Sequence, residues 1–168
     1  MPETQPSHIC WIRVDDRLIH GQVTVGWRQH LRYDAICIVD DATADDAFMC
    51  DVLRMAAPAG IRVSVVAAGQ AIDALERLDA KAILVLVKTP QTALQLVEAG
   101  LAIGQINVGN LGAAPGRKRV LKSILLGPEH VAALDALAAR GVKIAFQLVP
   151  DDSPVEWERV RETWASGR

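Results

Sequence analysis

Six short apolar runs, rich in β-branched residues and separated by amphipathic stretches, constrain this chain more than any other feature. They occupy residues 9–14, 35–39, 61–66, 82–87, 105–108 and 142–149. Runs of this length and composition predict strands covered on both faces. Helical patterns lie between and after them, over 21–31, 42–57, 69–78, 90–99, 128–139 and 154–165. In the second helical segment Phe48, Val52, Met55 and Ala56 share a face, with Asp45, Asp46 and Asp51 turned outward. Pro90, Pro128 and Pro154 stand where helices should begin, since proline's missing N–H costs nothing there. Gly100 and Gly141 stand just past two helix ends, where a left-handed residue is wanted. Arg117-Lys118-Arg119, with Lys122, reads as a turn into a short exposed strand. Strands spaced by single helices predict an α/β fold, an open, mostly parallel twisted sheet with helices on both faces. The expected organisation is a flexible tail over 1–7 and a single domain over 8–168.

Composition closes off several function classes. A hydrophobic content of 51% against 23% charged residues is that of a folded globular chain. Aromatics make up only 4%, so aliphatic side chains must fill the interior. The net charge of -2 supplies no global field for nucleic acid. Trp11, Trp27, Trp157 and Trp164 are accordingly read as packing residues, because a base-stacking platform needs a basic groove. The longest aliphatic stretch, 82–87, is too short to span a membrane, and Met1 to Ser7 is polar and unlike a secretory signal. Cys10, Cys37 and Cys50 form no C-x-x-C pair. They are expected as buried free thiols of a protein in a reducing, intracellular compartment. His8, His30 and His130 lack partners at ligand spacing, so no metal and no cofactor is expected.

In open α/β sheets the ligand crevice lies beyond the carboxyl ends of the strands. That rule points to loops 14–21, 40–43, 67–70, 88–90 and 109–117. The first reads Val14-Asp15-Asp16-Arg17-Leu18-Ile19-His20-Gly21-Gln22 and holds two carboxylates, a guanidinium and an imidazole. A neutral imidazole is a nucleophile, and phosphoryl transfer asks chiefly for positioning and for neutralised charge on the equatorial oxygens. Arg17 can offer forked donors, and the helix start at Gly21 and Gln22 can offer backbone N–H groups. Asp15 or Asp16 can hold the ring nitrogen that does not react. The rival reading is structural: an aspartate caps the turn, Arg17 pairs with it and His20 packs. Lys88 and Thr89, at the tip of the fourth strand, are candidate phosphate donors or ordinary strand-end residues. The glycine-bearing loop 109–116 precedes Arg117 and Lys118 but matches neither G-x-x-x-x-G-K-[ST] nor G-x-G-x-x-G.

The stretch from Val14 to Val23 closely resembles the active-site segment of mannose/fructose/sorbose-family IIB components of the phosphoenolpyruvate-dependent sugar phosphotransferase system. Further matches follow in order: Trp27, Asp40-Asp41, Met55-Ala56-Ala57-Pro58, Val87-Lys88-Thr89-Pro90, Leu96-Val97-Glu98-Ala99-Gly100, Ile106-Asn107-Val108-Gly109-Asn110, Gly116-Arg117-Lys118 and Val149-Pro150. The resemblance covers roughly residues 9–150. It departs at Leu111-Gly112-Ala113-Ala114-Pro115, where many members carry Met and then a bulky or histidine-containing stretch. The resemblance implies an open parallel sheet with helices on both faces. It also implies a protein-Npi-phosphohistidine–sugar phosphotransferase, phosphorylated at His20, on Nδ1, by a IIA protein. The phosphoryl group would then pass to a sugar bound by membrane IIC/IID subunits, placing the chain in the cytoplasm, at the inner membrane face through those subunits. Two rivals stand beside this: a regulatory phosphohistidine module without transport, and a nucleotide-binding α/β protein using loop 109–116. A docking face for IIA is expected around His20, presenting Arg13 or Arg17, Lys88 and the run Arg117, Lys118, Arg119.

Overall fold

The computed structural model describes residues 9–167, so the tail expected over 1–7 lies outside the described residues. The main sheet contains β1 (Ile9–Asp15), β2 (Ala35–Val39), β3 (Arg62–Val66), β4 (Ile83–Val87), β5 (Gln105–Asn110), β8 (Lys143–Phe146) and β9 (Val155–Glu156). Their order is β3-β2-β4-β1-β5-β8-β9, with every pairing parallel except β8 with β9. A separate antiparallel hairpin joins β6 (Lys118–Leu121) to β7 (Ile124–Leu126). The helices are α1 (Asp41–Ala44), α2 (Ala47–Ala56), α3 (Ala71–Arg77), α4 (Pro90–Glu98), α5 (Pro128–Ala139) and α6 (Trp157–Ser166).

Strand alternation divides the core into two layers. Cys37, Val39, Val85, Val87, Ile12 and Val14 pack on one face, with Leu75 of α3, Leu96 of α4, Leu134 of α5 and Val160 of α6. Ile36, Ile38, Leu84 and Leu86 face the other way, against Leu18, Ile19, Val23 and Leu53. All five residues of β2 and of β4 are buried, as their unbroken apolar runs require. The chain leaves β1 for β2 and β3 on one side, then crosses from β4 to β5 on the other. The carboxyl end of β1 is therefore the topological switch point, where such sheets place their ligands.

Several expectations change in detail. No α-helix forms over 21–31: a π-turn spans Gln22–Gly26 and a 3-10 turn follows over Trp27–Gln29. The segment 42–57 holds two helices, because Asp40 and Asp46 each cap one through their side chains. The face carrying Phe48, Val52 and Met55 is not the buried one; Phe48 is 76% and Met55 85% exposed, while α2 rests on the sheet through Leu53 and its buried Cys50 donates to the Thr43 carbonyl of α1. In the segment 69–78, α3 proper begins at Ala71 after a 3-10 turn over Ala68–Gln70. The run 142–149 is strand only over Lys143–Phe146, since the backbone oxygens of Gln147 and Leu148 turn inward to accept from Arg13. Pro154 precedes β9, so α6 starts at Trp157 instead. Pro90 and Pro128 do open helices, and Gly100 and Gly141 adopt positive φ. Cys37 and Cys50 are free and buried. No helix among the described residues is long and apolar enough to cross a membrane.

Candidate functional site

The loop leaving β1 is shaped by one unfavourable residue. Leu18 has φ of 57°, the one positive value among the described non-glycine residues, at a cost of roughly 1–2 kcal/mol for a side chain with a Cβ. Its side chain is buried beside Ile19 and Val23, which offsets that strain. Its N–H closes a turn onto the carbonyl of Asp15 at 3.0 Å. The chain is thereby folded back so that His20 returns over the Asp15 carboxylate. The N–H of Val23 and of Thr24 and the Thr24 hydroxyl all donate to the His20 carbonyl, where the chain enters the π-turn. Single π-turns recur at functional sites.

Asp15 is the hub of the site. Its side chain is 0% exposed, and Oδ2 lies 3.1 Å from His20 Nε2. Arg17 donates to it through a fork, Nε to Oδ1 at 3.0 Å and Nη2 to Oδ2 at 3.1 Å, with its own backbone N–H at 3.2 Å. Arg13 donates from below, Nη2 to Oδ2 at 3.0 Å. Burial raises the Asp15 carboxyl, but the His20 and Arg17 hydrogen bonds and the Arg13 charge win and hold it at about 2. Asp15 is thus an anion that fixes the imidazole through Nε2. A ring that donates from Nε2 carries its lone pair on Nδ1. That nitrogen faces the Gln22 N–H at 3.3 Å, and the His20 side chain remains 18% exposed.

The other candidates sort themselves by contact. Asp16 does not touch the imidazole: its carboxylate accepts from Asn110 Nδ2 at 2.6 Å and from the Gly112 N–H at 2.7 Å. It ties the first loop to the fifth, since the strand ends at Asp15 and the turn that begins at Asp16 carries its carboxylate towards β5. Gly21 has ordinary αR dihedrals, and a Cβ there would meet nothing within 4 Å; the backbone beside the ring is open. Gln22 takes the Arg17 Nη2 on its side-chain oxygen at 2.9 Å. Lys88 is paired with Asp40 at 3.1 Å, and Thr89 caps α4 by accepting the Thr92 N–H. Lys88 thus links the loops after β2 and β4, and Thr89 serves its own helix. The basic run is not one patch. Arg117 donates to the Gly112 carbonyl at 2.7 Å, Lys118 lies over the Trp164 ring at 5.5 Å, and Arg119 closes its own hairpin on Lys122. Strand alternation sends neighbours to opposite faces. Loop 109–116 is a poor phosphate cradle, since the Gly112 N–H is already held by the Asp16 carboxylate.

Arg13 corrects the expectation of a surface charge: it is 0% exposed and lies beneath the loop. It also explains Gly109. A Cβ at that position would come within 3.0 Å of the guanidinium, a separation that real Cβ atoms essentially never show. Trp27 covers the other side, its ring centroid 5.5 Å from the Arg13 Cζ and its N–H on the Leu148 carbonyl. A charged residue inside the apolar run 9–14 was the sequence signal for this buried pair.

The arrangement is a partly exposed imidazole with Nε2 fixed on a buried carboxylate and Nδ1 beside the Gln22 N–H, flanked by a partly exposed guanidinium. The model of the PTS system sorbose subfamily IIB component matches residues 9–165. The chain is 32% identical to the sorbose-specific EIIB component of the PTS system of Klebsiella pneumoniae, over 92% of this chain and 96% of that protein. It is 33% identical to the N-acetylgalactosamine-specific phosphotransferase enzyme IIB component 2 of Escherichia coli (strain K12), over 89% and 96%. The crystal structure of the IIBSor domain of the sorbose permease from Klebsiella pneumoniae superposes with a TM-score of 0.86 at 32% identity, covering 93% of this chain and 98% of that one. Sequence, fold and site agree, and the chain belongs to the sorbose subfamily of IIB components of the sugar phosphotransferase system.

Proposed function

We propose that this chain accepts a phosphoryl group on Nδ1 of His20 from the phosphohistidine of a IIA protein. It then passes the group to a sugar held by membrane IIC/IID subunits, working in the cytoplasm at the inner membrane face. The observation that carries this reading is the partly exposed His20 ring, held by Nε2 on a buried carboxylate so that the lone pair is left on Nδ1. In the first step the Nδ1 lone pair attacks phosphorus as the donor's P–N bond breaks. The positive charge gained by the ring is shared with Asp15 through Nε2–H. The Gln22 N–H, now on Nδ1, turns to a phosphoryl oxygen, and Arg17, 37% exposed, lends its guanidinium to the others. In the second step the sugar oxygen forms the new P–O bond, and the vacated Nδ1 takes up the hydroxyl proton.

Incubation with labelled phosphoenolpyruvate, the general phosphocarriers and a IIA protein tests this. Acid-labile, base-stable phosphate should appear on the His20 peptide, and His20→Ala should take none while keeping its fold. Normal labelling of the alanine variant would remove His20 from the reaction.

A further inference from the structure

We propose that Arg13 is a positioning residue of the transfer site: it anchors Asp15 from beneath, so that the carboxylate keeps hold of His20 when Arg17 turns to the phosphoryl group. This rests on the reading of His20 as the phosphoryl acceptor. A guanidinium has five N–H donors, and all five of Arg13's are placed. Nε and Nη2 donate to Asp15 Oδ2 at 3.3 and 3.0 Å. Nη1 donates to Asn107 Oδ1 and to the Gln147 carbonyl, and the second Nη2 hydrogen goes to the Leu148 carbonyl at 3.1 Å. No donor is left for phosphate, and no surface is left for a partner, since the side chain is 0% exposed.

The three acceptors other than Asp15 belong to β5 and to the segment following β8, so the sheet itself dictates where the guanidinium sits. Gly109 and Trp27 close on it from either side. A buried ion pair is often no more stabilising than apolar packing of the same volume, so core stability is a poor reason for an arginine here. Arg17 offers the complement. Its fork grips Asp15 from the solvent side, and its third nitrogen, Nη1, makes no hydrogen bond among the described residues. An arriving phosphoryl group competes with Asp15 for that fork. With Arg13 in place the buried carboxylate stays compensated when the fork swings away. Without it, Asp15 must take up a proton or lose its aim on Nε2.

The test is Arg13→Gln and Arg13→Lys in the full chain, read in two independent ways. Without any phosphodonor, NMR follows solvent exchange of the His20 Nε2–H and the titration of the Asp15 carboxyl carbon. With phosphorylated IIA, kcat and KM are measured separately. Arg13→Gln should exchange the ring proton at least ten-fold faster and raise the Asp15 titration by about a unit or more. It should lower kcat by about 10–100-fold, as expected when a reacting group is slightly misplaced. KM for IIA should stay within about two-fold, because a buried side chain touches no partner. Arg13→Lys should fall between. A folded Arg13→Gln with wild-type ring exchange and kcat overturns the proposal, as does a rise in KM at constant kcat. If Arg13→Gln does not fold, Asn107→Ala removes one anchor and should shift the same readouts the same way by less; unchanged readouts there also overturn it. Should the wild-type chain accept no phosphoryl group, the transfer reading falls, while the NMR arm still decides whether Arg13 sets the Asp15–His20 pair.

Discussion

Gly109→Ala adds one methyl group and should be among the most damaging small substitutions in the protein. The new Cβ falls inside contact distance of Arg13 Cζ and both Nη atoms. Overpacking a rigid core costs about 1–3 kcal/mol. The guanidinium cannot swing aside cheaply, because Asn107, Gln147, Leu148 and Asp15 hold it, and each hydrogen bond to a charged donor is worth about 1.5–3 kcal/mol. One clash plus one such bond lost gives about 2.5–6 kcal/mol, a large share of the roughly 5–15 kcal/mol of a typical domain. For a chain of this size that lowers Tm by about 5–24 °C. Urea and thermal unfolding followed by circular dichroism measure it. Gly104→Ala is the control, since a Cβ there meets nothing within 4 Å and its φ is ordinary; it should stay within about 0.5 kcal/mol of wild type. In an Arg13→Ala background, adding Gly109→Ala should cost less than about 1 kcal/mol, because the clashing atoms are gone. A Gly109→Ala variant within about 1 kcal/mol of wild type, or one whose cost is the same in both backgrounds, would refute the packing argument.

Three further outcomes follow from the same site. The Asp15 carboxyl lies at about 2 in the folded chain against an ordinary 3.8. A depressed acid stabilises the fold above its unfolded value and loses that contribution, about 2 kcal/mol, as pH falls from about 4 towards 2. Asp15→Asn should therefore flatten the fall in urea stability over that window, and parallel curves would exclude the carboxylate as its source. Arg17→Ala and Arg17→Lys should slow phosphoryl transfer by about 100-fold with little change in Tm, since a point charge cannot replace the fork; rates within two-fold of wild type would take Arg17 out of the reaction. Arg117→Glu should slow transfer from IIA about ten-fold at low salt and much less at about 0.5 M, because steering is screened. Arg119→Glu should do neither, because Arg117 is tied through Gly112 to the Asp16 loop while Arg119 is held at the hairpin turn by Lys122; equal effects would place both on the docking face.

The exposed face of α2 marks a limit of periodicity as a guide. Phe48, Val52 and Met55 satisfy a helical spacing as well as Cys50 and Leu53 do, and only the docking of the helix on β2 and β3 chooses between them. Asp46, which caps α2 and so divides 42–57, satisfies the spacing of an outward charge equally well, because a cap and a solvated carboxylate look alike until the chain reverses. By itself the sequence determined the parallel sheet, since runs such as 35–39 and 82–87 have no polar face to give to water. It also determined which loop gathers two carboxylates, a guanidinium and an imidazole, because those residues are neighbours along the chain. Tertiary structure alone decided that Asp15 and not Asp16 holds the ring, that Arg13 is buried beneath it, and that Gly109 must lack a side chain. Those choices depend on β5 and on the segment after β8, which lie 94 to 135 positions from Arg13 along the chain. Contacts across such separations are set by strand register, and no local spacing records them.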